Sequence, residues 1–132
     1  MVFPLVIEAE QMTATVGGPT ASGWNIHSDG CLSETLTLCP GALQITVVAS
    51  SDYALGEPAR MVVRLADEGQ AEFDVSANHK EEEWEEYTVN VLVSELDRYP
   101  LTVEFINAYY APGDGEDRNL LVDKVVVTYT DQ

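Results

Sequence analysis

Basic residues are scarce in this chain of 132 residues, which carries six Lys and Arg against 23 Asp and Glu, for a formal net charge of -17. This balance argues against nucleic-acid binding, because phosphate contacts require a basic face. It also argues against binding to an anionic membrane surface, which would repel the chain. Neutral ligands and cations remain as partners.

Histidine and cysteine are also scarce, since the chain has only His27, His79, Cys31 and Cys39. This supply argues against a zinc site. We predict a disulfide between Cys31 and Cys39, which would place the domain outside the cytosol. Two free buried thiols are the alternative. Neither histidine lies near a Gly-x-Ser-x-Gly turn and no glycine loop could cradle a phosphate, so we do not expect an enzyme.

Long apolar runs are absent, which argues against a membrane span. The opening residues 1–7 lack the basic start and cleavage pattern of a signal peptide, so we expect a domain taken from a longer secreted protein. Hydrophobic residues make up 45% of the chain and charged residues 22%, which is typical of a globular fold. The length predicts a single domain over 1–132.

Alternating apolar and polar residues dominate, which is the pattern of half-buried strands. Helix-forming residues occur at His79–Glu86, but that segment is short and we interpret it as a turn entering a strand. Close turn signals between the strands favour an all-β sandwich, most simply a jelly roll. The predicted strands are Val6–Met12, Leu32–Leu38, Ala42–Ala49, Arg60–Leu65, Ala71–Val75, Tyr87–Val93, Leu101–Ile106 and Leu120–Tyr129.

An acidic, turn-rich segment, Asn107–Asp123, separates the last two predicted strands. Its proline and glycines let the backbone fold back, so several carboxylates could face one point. Calcium prefers such hard oxygen ligands, although the spacing does not fit an EF-hand. A merely polar loop is the alternative. The candidate ligands within the segment are Asp114, Glu116, Asp117 and Asn119.

A second acidic set combines the two ends of the chain. Glu8 and Glu10 have the i, i+2 spacing that places both on one face of a strand, and Asp123 interrupts an apolar run near the end. If the first and last strands are neighbours, these three carboxylates could enclose one calcium. The alternative is a solvated strand face.

Aromatic side chains beside polar ones are candidates for sugar binding, because a pyranose ring has an apolar face and polar hydroxyls. Tyr109 and Tyr110 are adjacent, so in extended backbone they point in opposite directions. For each ring alone, packing against the core or an edge is the alternative. The predicted ligand-binding residues are Trp24, Asp52, Tyr53, Asn107, Tyr109 and Tyr110.

Three segments resemble the β-sandwich carbohydrate-binding modules grouped around families 6, 35 and 36. Ile7–Met12 is similar to the Glu-Ala-Glu start of those modules, Asp117–Val125 to their closing segment, and Ile45–Asp52 to the strand before their middle hairpin. Together the segments most resemble the calcium-dependent xylan-binding modules of family 36 and their circularly permuted relatives in family 60.

The resemblance implies two calcium roles. A structural calcium would be held by Glu8, Glu10 and Asp123, with backbone carbonyls near 27–30. A second calcium, in the loop over 114–119, would coordinate sugar hydroxyls. The Trp-Asp pair of family 36 is replaced by Arg118-Asn119.

We therefore predict a non-catalytic module, covalently linked to a secreted glycoside hydrolase, that binds plant cell-wall β-glycans. The candidates are β-1,4-glucan, xyloglucan and xylan, with β-glucans ranked ahead of xylan because the Trp-Asp pair is altered. One rival is a calcium-stabilised adhesion domain that binds no sugar. The other is a small glycosidase or lyase, since paired carboxylates are frequent in the chain.

Overall fold

The computed structural model describes residues 3–20 and 23–130. Within these residues, three short 3₁₀ helices, Ala9–Gln11, His79–Glu81 and Pro112–Asp114, lie between strands. None of the helices in the described residues has the length and apolar character needed to cross a membrane. The strands are β1 Leu5–Glu8, β2 Thr13–Ala14, β3 Gly18–Thr20, β4 Gly23–Ile26, β5 Gly30–Leu38, β6 Gly41–Asp52, β7 Ala59–Leu65, β8 Gly69–Val75, β9 Glu85–Val93, β10 Asp97–Phe105, β11 Tyr109–Ala111 and β12 Glu116–Tyr129.

The strands form two antiparallel sheets that pack face to face. The first has the order β3-β4-β12-β6-β9, and β1 and β11 also pair with β12. The second has the order β2-β5-β10-β7-β8. The predicted all-β sandwich of the jelly-roll class is confirmed.

Alternation along each strand sets which side chains enter the core. In β9, Tyr87, Val89, Val91 and Val93 are buried while the residues between them are exposed. Because successive side chains on a strand point to opposite faces, one apolar set fills the space between the sheets. The segment predicted as a turn before this strand does contain a short 3₁₀ helix, after which β9 begins at Glu85.

The opening strand is shorter than the alternation predicts. It ends at Glu8, and the 3₁₀ helix Ala9–Gln11 follows. Ala9 in the helix and Met12 just after it are both buried in the core. A continued strand could not bury both, because side chains at positions 9 and 12 would point to opposite faces. The predicted strand over Val6–Met12 is therefore wrong beyond Glu8, and Glu10 does not share a strand face with Glu8.

The predicted disulfide is also wrong, because Cys31 and Cys39 are both free thiols. Cys31 is the second residue of β5 and Cys39 directly follows its last residue, so an extended strand separates the two by eight residues. At roughly 3.3 Å per residue their Cα atoms are about 26 Å apart. A disulfide requires a Cα separation of roughly 4.4–6.8 Å.

Strand β12 is the centre of the first sheet. It pairs with β1 at Lys124–Val127, with β4 at Leu120–Val122 and with β6 along most of its length. Its register shifts at a bulge between Val122 and Lys124. The first of these pairings makes the first and last strands neighbours, which is the condition that a site shared by Glu8, Glu10 and Asp123 requires.

The core can be tested with a matched pair of leucine substitutions. Leu101→Ala removes a fully buried side chain, so we expect the free energy of unfolding to fall by about 2–5 kcal/mol. Leu92→Ala removes a side chain that is 70% exposed, so we expect a change within about 0.5 kcal/mol. Denaturant unfolding of both variants checks this, and equal losses would contradict the observed packing.

Candidate functional site

The acidic segment predicted before the last strand is a hairpin. Strand β11 pairs with the start of β12, so that Tyr109 lies opposite Arg118 and Tyr110 opposite Asp117. The 3₁₀ helix Pro112–Asp114 and the positive φ of 72° at Gly115 close the turn between them. Since directly opposed residues share a face, Tyr110 and Asp117 lie on one side of the hairpin and Tyr109 and Arg118 on the other.

Arg118 anchors this hairpin to the body of the protein. Its side chain is buried, and its guanidinium donates to the carbonyl oxygens of Ala54 at 2.6 Å, Asn107 at 2.7 Å and Glu57 at 3.1 Å. A planar guanidinium can serve several acceptors at fixed angles, which an ammonium cannot. The same group lies 5.9 Å from the centre of the Tyr109 ring. The side of the hairpin that carries Arg118 therefore packs against the body of the protein.

Asn107 and Asp29 fix the base of the hairpin. The Asn107 Oδ1 accepts from the backbone N–H of Arg60 at 2.7 Å, and its Nδ2 donates to the carbonyl of Pro58 at 3.2 Å. The Asp29 carboxylate accepts from the backbone N–H of Ala108 at 2.8 Å. Both ends of the Asn107 amide are thus engaged in holding the loop, although the sequence suggested it as a ligand contact.

An open cavity of about 360 Å³ lies beside the other side of the hairpin. It is lined by His27, Ser28, Tyr110 and Asp117. The Tyr110 ring is 70% exposed, and the Ser28 hydroxyl lies 3.3 Å from the His27 Nδ1. The cavity therefore combines an exposed aromatic face with a carboxylate, an imidazole and a hydroxyl. Of the residues predicted for binding or calcium, it gathers Tyr110 and Asp117.

The buried Asn119 and the partly buried Asp52 form a polar pair where β12 continues beyond the hairpin. They lie directly opposite each other on β12 and β6, and the Asn119 Nδ2 donates to the Asp52 Oδ2 at 2.9 Å. Asn119 is 5% exposed, and its Oδ1 is buried without a hydrogen-bond partner among the described residues. Asn119 shares a face of β12 with Asp117, two residues away, so the pair lies on the cavity side of the strand.

The remaining acidic residues of the hairpin are separated from one another. Asp114 is exposed at the turn. Glu116 is half-buried, and its Oε2 accepts from the backbone N–H of Leu55 at 2.8 Å. The carboxylates that the sequence placed in one loop are therefore spread along the hairpin.

Two predicted aromatic contacts have partners elsewhere. The Trp24 Nε1 donates to the carbonyl of Val16 at 2.9 Å, and the ring packs against the core. The Tyr53 hydroxyl donates to the carbonyl of Ser76 at 2.7 Å. Burial raises the pKa of the Tyr53 hydroxyl, and the negative charge around it, including that of Glu83, raises it further.

Of the set predicted for a structural calcium, the backbones of Glu8 and Asp123 lie on paired strands. Glu8 lies opposite Lys124, beside Asp123, while Glu10 is exposed on the 3₁₀ helix that follows β1. Over residues 3–20 and 23–130, no three Asp, Glu, His or Cys side chains converge closely enough to hold a metal.

Sequence reasoning missed the anchoring role of Arg118, and it assigned residues 27–30 only to the structural calcium through their backbone carbonyls, not to this cavity. The only sequence signal for Arg118 is that it is a basic residue within an acidic segment, which indicates a partner but does not identify it. Its three acceptors lie between 11 and 64 residues away, so no local pattern reveals them. His27 and Ser28 follow directly on β4.

The profile of one protein family matches residues 44–132, and its description is a Ca-dependent, xylan-binding carbohydrate-binding module, family 60. The chain belongs to this family. The resemblance seen in the sequence is therefore confirmed. No curated protein matches the chain.

Solved structures of related modules share the fold of this one. The family 36 domain of a multidomain xylanase from the hindgut metagenome of Trinervitermes trinervoides superposes with a TM-score of 0.69 at 15% identity, over 97% of this chain and 98% of that one. A family 36 module solved with calcium and xylotriose gives 0.69 at 14% identity, over 94% and 99%. The family 6 module of a marine laminarinase from Zobellia galactanivorans gives 0.61 at 16%, over 94% and 98%.

The donors at the cavity fit the calcium dependence of the family. Calcium takes carboxylate, amide and backbone carbonyl oxygens together with water. Asp117 offers a carboxylate at the cavity, and the Asn119 Oδ1 is an oxygen acceptor that no described protein group satisfies. A full coordination shell would need further oxygens from backbone, water or ligand, since a cluster of carboxylates is lacking in the described part of the chain.

Replacing Arg118 tests the anchor. In Arg118→Lys a single ammonium would replace the fork that serves three carbonyls, so we expect the free energy of unfolding to fall by about 2–4 kcal/mol. Arg98→Lys, at an exposed position of β10, is the matched control and should be nearly neutral. Similar small losses in both variants would contradict an anchoring role.

Alkaline pH tests the environment of Tyr53. Its folded pKa is raised above the ordinary value of 10.0, so the neutral hydroxyl stabilises the fold below pH 10 and this contribution is lost as pH rises through the folded pKa. We expect the stability of the wild type to decline above pH 10 more steeply than that of Tyr53→Phe. Chemical unfolding at several alkaline pH values measures the difference, and parallel declines would contradict it.

Proposed function

We propose that this carbohydrate-binding module binds xylan in the cavity formed by Tyr110, Asp117, His27 and Ser28. The observation that supports this site best is the pairing of an exposed aromatic ring with a carboxylate across one face of the β11–β12 hairpin. The Tyr110 ring supplies an apolar surface for one face of a pyranose. Asp117, Ser28 and His27 supply partners for its hydroxyls.

Xylan takes first place among the candidate glycans, which reverses the ranking drawn from the sequence. The family description names xylan, and one structural neighbour was solved with xylotriose. The ranking of β-glucans rested on the replacement of the Trp-Asp pair by Arg118-Asn119. Arg118 is turned into the protein, away from the cavity, so it leaves the binding face to Tyr110 and Asp117.

Calcium is proposed to act at this cavity. Asp117 and Asn119 would hold it, with Asp114 exposed at the neighbouring turn. Glu116 lies on the opposite face of β12, where its carboxylate accepts from the backbone N–H of Leu55. When bound, it would supply positive charge for sugar hydroxyls in a protein of net charge -17. The set Glu8, Glu10 and Asp123 remains a proposal for a structural calcium, supported by the pairing of β1 with β12.

Binding without cleavage is the activity that this cavity supports. Glycoside hydrolysis needs two carboxyl groups on opposite sides of one glycosidic bond, at roughly 5–9.5 Å from each other. Among its described lining residues the cavity has a single carboxylate, Asp117. We infer that the module targets a linked glycoside hydrolase to plant cell walls and is secreted with it. The modules of a xylanase and of a mannanase are structural neighbours that belong to such enzymes.

Tyrosine substitutions on the two faces of the hairpin test this site. We expect Tyr110→Ala to bind xylan at least about tenfold more weakly, a loss of about 1.4 kcal/mol, with an unchanged melting temperature. Tyr109→Ala is the matched control, because its ring lies on the Arg118 side of the hairpin, and it should lower the melting temperature while keeping xylan affinity. Calorimetric titration with xylo-oligosaccharides measures both.

Affinity electrophoresis on xylan, β-glucan, xyloglucan and mannan gels, with and without chelator, separates the rival functions. Retardation on xylan that chelator abolishes is the expected result. No retardation on any gel would favour the adhesion domain, and release of reducing sugar would favour a glycosidase. Binding that survives chelation, with a lowered melting temperature, would restrict calcium to a structural role.

A further inference from the structure

We propose that Asp52 is a positioning residue of the glycan site, which holds the side-chain amide of Asn119 in the orientation that presents its carbonyl oxygen to the ligand side. The inference rests on the proposed function, because Asn119 shares a face of β12 with Asp117, which lines the proposed glycan site. It starts from one observation, the buried Asn119 Oδ1 that has no partner among the described residues.

The contact between the two side chains fixes the direction of the amide. An ionised carboxylate only accepts hydrogen bonds, so the NH₂ end of Asn119 must face Asp52. The 2.9 Å distance from the Asn119 Nδ2 to the Asp52 Oδ2 matches such a bond. The carbonyl end of the amide therefore points away from Asp52. Without the carboxylate, the two orientations of the amide would differ little in energy.

The unpaired oxygen calls for a partner from outside the protein. Buried polar groups are nearly always hydrogen-bonded, because an unpaired one loses its hydration without compensation. Asn119 is 5% exposed and lies two residues from Asp117 on the same face of β12. A cation that the oxygen coordinates, or a sugar hydroxyl that donates a hydrogen bond to it, would satisfy the oxygen.

Asp52 has a second contact that must be separated from the first. Its Oδ1 lies 3.7 Å from the His79 Nδ1, on the 3₁₀ helix that precedes β9. Through this contact Asp52 could instead act on the segment around His79 and Trp84, whose rings lie 5.9 Å apart. His79→Ala removes that contact and leaves the bond to Asn119 intact.

Four proteins test the proposal: the wild type, Asp52→Ala, His79→Ala and the exchange of the pair, Asp52→Asn with Asn119→Asp. In the exchange, the amide introduced on β6 would donate to one oxygen of the carboxylate introduced on β12 and leave the other oxygen for the ligand. We expect Asp52→Ala to weaken xylan binding by about 10–100-fold, as loss of a supporting hydrogen bond does at metal sites. The exchange should restore binding, and His79→Ala should keep it.

Nuclear magnetic resonance of side-chain amides provides a readout that does not depend on the glycan. In chelator, the Asn119 NH₂ signals should move in Asp52→Ala and stay in place in His79→Ala. In the wild type, calcium alone or xylo-oligosaccharide in chelator should then shift them. A response to calcium alone identifies a cation as the partner, and a response only to the sugar identifies a hydroxyl.

The outcomes distinguish this inference from the proposed function. If the wild type fails to bind xylan, the proposed function is wrong, and the amide signals still decide whether Asp52 orients Asn119. If the wild type binds and Asp52→Ala binds equally well, or His79→Ala reproduces the loss, the positioning role is overturned. If Asp52→Ala does not fold, the folded exchange variant decides, since failure to bind in it would also overturn the proposal.

Discussion

The buried guanidinium of Arg118 is the interaction on which the candidate site depends. It joins the loop at Ala54 and Glu57 to the base of the hairpin at Asn107, through three hydrogen bonds to backbone carbonyls. Loops carry few internal backbone partners, so their conformation is set by contacts of this kind. Because the guanidinium occupies one face of the hairpin, Tyr110 and Asp117 are left on the other face, toward the cavity.

This arrangement also sets where the carboxylates of the hairpin lie relative to the cavity. The carboxylates of the hairpin are dispersed along it, with Glu116 bonded to a backbone N–H and Asp114 at the tip. This dispersal limits repulsion, because the repulsion between like charges falls with their separation and with solvent screening. Asp117 is left as the carboxylate at the cavity, which favours a neutral sugar or a cation over an anionic ligand.

Alternation predicted the strands well because it records which side chains face the core. The hairpin of β7 and β8 was found within two residues at each end, and β12 was placed correctly over its apolar half. The predicted disulfide failed for a reason already visible in the sequence, since its two cysteines flank a segment predicted to be extended. The role of Arg118 and the cavity at His27 could not be predicted, because both depend on contacts between loops distant in sequence.

The bulge between Val122 and Lys124 divides β12 into two halves with different phase. Val122 and Val125 both face the core although they are three residues apart, so the extra residue at Asp123 resets the alternation. Gly23 lies against this point, where a Cβ would come within 2.1 Å of the Val122 carbonyl oxygen. Without the bulge, a regular ladder that ran through Asp123 would have to turn either Asn119 inward or the apolar terminal half outward. The bulge is therefore as much a determinant of the site as the residues that line it.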